Sequence, residues 1–409
     1  MNEKEIISTL KNGNVPSEDV LSFCIGRNDE IETFKNLLTE VENGSSITKF
    51  IKGEYGAGKS FFLKVIEEIA FNEGFVVSWV TLSNDVRMNK IDVVYNEIAH
   101  NLKCKTGTSI KWIIDRWIER LNHRIPEEIR GNSEEEQKFI QENIDNDLEM
   151  VYQYSSRFPK AIEYYAEYKN SNQLDNSASD AIGWLTGEKK IPAKNKKAFN
   201  VKGDIDKDDA YSFLKALSEF IKATGYSGLV ILIDEAESIQ NISRRQWRDD
   251  AYDYIRKIFD DCAFKNFENT LFLFAGTPPL FFNKNDGIAS YKALDDRIRS
   301  SLTDDTKDNR RTIIPLKGFD KEELLDLTNH LIKIHEKAYN WDSEGKIDIE
   351  YIVDKEMESA SLNNSLLIPR EFIKDLIDLL DAIQQNPNNA EEIVNKNYAN
   401  MKEESEDDW

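Results

Sequence analysis

The sequence predicts a mixed α/β fold built on a parallel sheet, with a long helical insertion and a C-terminal all-helical lid. Three observations carry this reading. A glycine loop, Gly53-Glu54-Tyr55-Gly56-Ala57-Gly58-Lys59-Ser60, lies between a short apolar strand and a helix-period run. The runs Leu229–Ile233 and Thr270–Ala275 have the length and composition of strands buried on both faces. From residue 320 onward only helix-period patterns occur.

Taken in order, residues 1–22 read as a helix, a turn at Gly13 and Pro16, and a second short helix. Asn28 or Asp29 caps a helix running to about Val41. Asn43-Gly44-Ser45-Ser46 turns into the strand Lys49–Lys52, which feeds the glycine loop. Phe61–Ala70 follows as a helix, Gly74–Leu82 as a buried strand, and Asp92–Asn101 as a helix. Alternating strands and helices are the signature of a parallel sheet covered by helices. Residues 23–103 and 203–317 are therefore assigned to the α/β core.

Residues 104–202 break that alternation and read as a helical insertion. Tyr152, Tyr154, Phe158, Tyr164, Tyr165 and Tyr168 form an aromatic stripe within it, which reads as helix packing in preference to a base-stacking platform. Ser171–Ser179 reads as an exposed loop. Lys189, Lys190, Lys194, Lys196 and Lys197 make the chain's one local basic run, a solvated loop in preference to a phosphate contact. The core pattern resumes with a helix over Asp208–Thr224, the strand at 229–233, a helix over Asp249–Cys262, a strand over Thr270–Thr277 and a last short strand at Thr312–Leu316. Helices at about 320–340, 349–360, 370–384 and 388–401 make up the lid, 318–401. An acidic tail, 402–409, closes the chain.

Composition narrows the function. The 409 residues include 75 acidic and 53 basic side chains, a formal net charge of −22. Phosphate contacts depend on lysine and arginine, so the charge argues against nonspecific coating of nucleic acid; a local basic groove stays open. The absence of an apolar run of about 18 residues argues against a membrane span. The N-terminus is too charged for a secretory signal. Three scattered cysteines form neither a disulfide framework nor a metal cluster, which points to a reducing, cytoplasmic setting.

The glycine loop fits G-x-x-x-x-G-K-[ST]. Glycines let backbone N–H groups curl round phosphate oxygens. Lys59 reaches the β- and γ-phosphates, and Ser60 places its hydroxyl on Mg²⁺. The residues from Gly53 through Glu54, Tyr55, Gly56, Ala57, Gly58, Lys59 and Ser60 to Phe61 are the candidate ATP contacts. Asp234-Glu235, at the end of the 229–233 strand, supplies the partner carboxylates: Asp234 for Mg²⁺ and Glu235 to polarise the attacking water. Thr277 ends the next strand, either as a contact to that water or the γ-phosphate or as a turn residue before Pro278-Pro279. Arg297 and Arg299 are either fingers for a neighbouring subunit's γ-phosphate or salt-bridge partners of Asp295 or Asp296. Arg370, behind Pro369 at a helix start, can swing onto the phosphates when the lid closes. His100, His123, His330 and His335 show no catalytic or metal spacing.

Together, Gly26-Arg27, the GEYGAGKS loop, LVILIDEAE, the Thr277 strand, Arg297/Arg299 and Pro369-Arg370 resemble AAA+ P-loop ATPases of the origin-recognition/Cdc6-like branch. GEYGAGKSFFL, GWLTGEKK at 183–190, TGYSGLVILIDEAESI, FAGTPPLFF and SYKALDDRI further resemble BREX-type ATP-binding proteins of bacterial phage defence. The resemblance covers about Phe23 to Leu380. It implies an ATPase that works beside a helicase or other defence partners. It also implies Ile25, Gly26 and Arg27 near the adenine, Thr277 as first sensor and Arg370 as second sensor. The expected function is ATP hydrolysis by a self-assembling protein that drives or gates a defence complex. The alternative is a slow-turnover switch that recruits protein partners. A small-molecule kinase is disfavoured by Asp234-Glu235 and by the helical lid with its arginine.

Overall fold

The computed structural model describes residues 2–16, 20–170, 176–300, 308, 310–362 and 368–396. The early elements are α1 (Glu3–Lys11), α2 (Asn28–Glu42), β1 (Ser46–Lys52), α3 (Lys59–Asn72), β2 (Val76–Thr81), α4 (Ile91–His100) and β3 (Leu102–Lys103). Five helices follow: α5 (Ile110–His123), α6 (Ser133–Tyr154), α7 (Phe158–Asn170), α8 (Asn176–Leu185) and α9 (Ala193–Ala198). Then come α10 (Lys207–Ala223), β4 (Leu229–Asp234), α11 (Arg245–Ala263), β5 (Thr270–Gly276), α12 (Pro278–Phe282), α13 (Lys292–Ile298) and β6 (Ile313–Pro315). The last helices are α14 (Lys321–Tyr339), α15 (Ile349–Leu362) and α16 (Pro369–Gln385). The chain forms two compact units. One comprises Met1–Glu32, Lys52–Glu68 and Pro315–Trp409; the other comprises Thr33–Ile51 and Ile69–Ile314.

In the unit of Thr33–Ile51 and Ile69–Ile314, the strands follow the order β3-β2-β4-β5-β1-β6. β2 pairs parallel with β4, from Val76 opposite Leu229 to Thr81 opposite Asp234. β4 pairs parallel with β5, from Leu229 opposite Thr270 to Ile233 opposite Phe274. β3 adds an antiparallel edge to β2. Every residue of β4 and β5 is buried, the demand that a two-sided parallel strand makes on its sequence. The register brings the ends of β2, β4 and β5 to one edge of the sheet. Ligands bind at this edge in open parallel sheets.

Residues 104–202 share one apolar core with the sheet. Trp117 meets Phe220 edge-on at 5.6 Å between ring centroids, Trp184 meets Phe213 at 5.5 Å, and Phe158 meets Phe213 at 5.7 Å. The tyrosine stripe is spent on packing and local hydrogen bonds. Tyr152 donates to Glu163, Tyr165 to Asp115, and Tyr164 pairs with Ser177. The GWLTGE turn fastens α8 to α4: the Tyr95 hydroxyl donates to the Leu185 carbonyl (2.7 Å), and the Asn96 amide to that of Thr186 (2.6 Å). The Trp184 indole N–H donates to the Gly203 carbonyl at 3.0 Å.

The expected exposed loop at 171–179 is corrected in part. Residues 176–179 open α8, with Ser177 and Ala178 buried under Tyr164, while 171–175 lie outside the described residues. The lysine run is not a uniformly solvated loop either. Ala193–Ala198 is helical, Lys196 is buried against Asp204, and Lys189 pairs with Asp92 at 3.2 Å.

The other unit gathers α1, the glycine loop and the lid helices. Asn2 with Glu5, and Asp320 with Glu323, form capping boxes that satisfy the first N–H groups of α1 and α14. Pro369 occupies the first turn of α16, where a missing N–H costs nothing. Leu324, Leu331, Ile352, Phe372, Leu376 and Leu380 form the centre of this unit's core, and Ile7 and Leu10 of α1 belong to it. The helix read at 388–401 is present over 390–396. Residues 397–409, including the expected acidic tail, lie outside the described residues.

His335 is fully buried in this unit. It receives the Trp341 indole N–H at Nδ1 (2.9 Å) and faces Asp381 through Nε2 (3.0 Å). Because Nδ1 accepts, the proton of the neutral ring sits on Nε2 and points at Asp381. Burial holds the His335 pKa below its usual value, and Asp381 partly opposes that. A depressed histidine contributes stability above its unfolded pKa and loses it as pH falls. Urea unfolding should therefore show declining stability below about pH 6.5. His335→Gln should flatten the slope between about pH 6.5 and 5; an unchanged slope would exclude the histidine.

Candidate nucleotide-binding site

The loop between β1 and α3 has the geometry that its glycines permit. Gly56 and Gly58 adopt left-handed φ values of +78° and +87°, a region open to glycine at little steric cost. At Gly58 nothing lies within 4 Å of where a Cβ would stand. Among the described residues, the backbone N–H groups of Gly56, Gly58, Lys59, Ser60 and Phe61 have no protein acceptor. Such groups need partners when they leave water. Five consecutive-region donors at a helix N-terminus match an oxyanion with several oxygens. The Lys59 ammonium is buried and donates to the carbonyls of Gly53 and Glu54, each at 3.1 Å. Ala57 N–H closes the loop onto Glu54 (3.1 Å), and Phe62 N–H onto Gly58 (2.8 Å).

Four further candidates lie in the same unit. Ile25 packs on the lid core, as does Phe61. A Cβ on Gly26 would stand 2.5 Å from the Glu323 carboxylate, so only glycine admits that approach. Arg27 is buried. Its guanidinium donates to the Lys317 carbonyl, lies 3.5 Å from Glu30 and sits over the Phe319 ring at 5.7 Å. Arg370 reaches the loop itself: its guanidinium lies 5.3 Å from the Tyr55 ring centroid and donates to the Tyr55 hydroxyl at 3.2 Å.

The remaining candidates lie in the sheet-bearing unit. Asp234 is buried at the end of β4, and its carboxylate accepts the Glu235 N–H at 2.9 Å. Glu235 is half-buried, with a left-handed backbone of φ +56° and ψ +38°. A non-glycine residue there is held at a cost of order 1–3 kcal/mol, a kind of strain that clusters at working sites. Thr277 follows β5 and starts α12, without a side-chain cap bond. Arg297 forks onto Asp260 at 2.5 and 3.0 Å, a carboxylate that also holds Arg256 at 2.7 Å. Arg299 pairs with Asp295. The salt-bridge alternative thus names the right partner for Arg299. For Arg297 it names the wrong one: Asp260 lies a helix away on α11, and no local pattern in the sequence marks it.

Residues 1–397 match the family described as BREX system ATP-binding protein BrxC/D. The chain belongs to that family. It is thereby a BREX-system ATP-binding protein. No curated protein matches the sequence. Among solved structures, the crystal structure of Cdc6p from Pyrobaculum aerophilum is similar at 12% identity and a TM-score of 0.41. That match covers 88% of this BREX protein and 63% of the Cdc6p chain. Among the described residues, no helix is long and apolar enough to cross a membrane.

Proposed function

We propose that this BREX ATP-binding protein is a Mg²⁺-dependent ATPase that assembles with itself and drives or gates a cytoplasmic defence complex. The observation that carries the reading is the loop of unpartnered N–H groups around a buried Lys59. Backbone donors and Lys59 hold the β- and γ-phosphates. Lys59 gives up its two carbonyls for phosphate oxygens, a gain in hydrogen-bond strength because the new acceptors are charged. The Ser60 hydroxyl and the Asp234 carboxylate are hard oxygen donors of the kind Mg²⁺ takes. Among the described residues no cluster of three or more histidine, cysteine, aspartate or glutamate side chains stands ready for a metal. A Mg²⁺ ion held largely by phosphates and water needs none, and it would neutralise charge as the β–γ bond breaks.

Glu235 accepts the proton of the attacking water. Thr277 orients that water or the γ-phosphate, and Arg370 reports phosphate to the lid. Ile25, Gly26 and Arg27 border the adenine. Arg297 or Arg299 serves a neighbouring subunit's site. The partner is a helicase or another DNA-acting protein; direct DNA contact by this chain has no support from its net charge. One observation favours the slow-switch alternative: both fingers are already held by carboxylates, Asp260 and Asp295, within one chain. Turnover by the isolated chain is then slow, and assembly accelerates it.

Phosphate release decides between them. The expected result is Mg²⁺-dependent release that EDTA stops and that rises with protein concentration or with the neighbouring defence proteins and DNA. No release under any of these conditions would leave only the switch.

A further inference from the structure

The arginine of the lid is already engaged, and its partner is the tip of the glycine loop. Tyr55 is 70% exposed, which is unusual for a large aromatic side chain. Arg370 lies over its ring and bonds its hydroxyl. Two close approaches fix the pair. A Cβ on Gly56 would meet Ile368 Cγ2 at 2.5 Å, so the start of α16 is seated directly on the loop tip. Where a Cβ on Gly13 would stand, Arg370 Cδ lies 3.5 Å away, so the turn after α1 backs the arginine's stem. Lys11, the last residue of α1, is bonded to Asp381 (2.6 Å) and Asp378 (2.9 Å) of α16.

We infer that Tyr55 is a parking site for Arg370: it holds the lid arginine on the outside of the loop, and ATP must draw the arginine off the tyrosine to engage it. Tyr55 is thus a positioning residue that sets apparent ATP affinity. The inference rests on the proposed ATP site and adds a competitor to it. A cation over an exposed aromatic ring, aided by one hydrogen bond, is a weak hold. When the binding-competent form is only part of the population, affinity is lowered by that fraction. Removing the ring should tighten ATP binding roughly two- to fivefold.

The test is a double-mutant cycle on the full chain, titrating a non-hydrolysable ATP analogue with Mg²⁺. Tyr55→Ala is expected to tighten binding and Tyr55→Phe to fall between it and the parent. Arg370→Ala should weaken binding, and Tyr55→Ala should then have no effect in the Arg370→Ala background. Tyr55 is exposed, so neither substitution endangers the fold. Weaker or unchanged binding in Tyr55→Ala overturns the inference, as does an equal effect with and without Arg370. Lys59→Ala separates the two levels. If it retains ATP affinity, the site reading fails and the parking role falls with it. If it sharply weakens binding while Tyr55→Ala changes nothing, only the parking role is lost.

Discussion

Lys59→Ala is expected to lower ATP affinity by roughly 10²- to 10³-fold, the loss of about two charge-assisted hydrogen bonds. The ammonium is buried among the loop's own carbonyls. Arg370 engages only the rim of the loop, at the Tyr55 hydroxyl. The backbone donors of Gly56, Gly58, Lys59, Ser60 and Phe61 would remain, so some affinity is expected to persist. Isothermal titration with ATP and Mg²⁺ reads the effect directly. The substitution frees the carbonyls of Gly53 and Glu54 to water, so thermal stability should hardly change. A large fall in melting temperature would mean that lost folding, not lost phosphate contact, explains weak binding.

The second large effect belongs to Glu235→Gln. It should reduce turnover by roughly 10²- to 10⁴-fold, the usual contribution of a positioned acid–base group, while ATP affinity stays near the parent value. Glutamine keeps the shape of the side chain and can keep the left-handed backbone; it cannot take a proton. The split between turnover and affinity is the informative readout. Equal turnover in the variant would remove Glu235 from the chemistry. Equal losses in both would make it a binding residue.

The glycine loop, β4 and β5 were legible because their signals are local. A strand, a glycine loop and a helix follow one another within 46–72, and β4 opens with an unbroken apolar run. Less was legible where partners lie far apart in sequence. The start of α11 falls at Arg245, where Arg245, Gln246 and Trp247 offer no apolar spacing, so periodicity alone places the helix start late. The edge strand β3 is two residues long and leaves no period to detect. Asp260 takes Arg297 across 37 positions. Glu323 crowds Gly26 from the far end of the chain. Nothing in a single sequence marks such pairs. The insertion likewise read as a separate helical segment, because the match of Trp184 and Phe158 to Phe213 exists only once the helices are packed.

That shared core couples the insertion mechanically to the end of β4. α6 packs on α10, and α10 runs through the short turn at Gly225–Gly228 into β4, whose end carries Asp234 and Glu235. Phe213 and Phe220 on α10 take ring contacts from Trp117 on α5, Phe158 on α7 and Trp184 on α8, so a displacement of these helices bears on the element that leads into β4. The insertion is therefore joined through one helix, α10, to the strand that ends in Asp234 and Glu235.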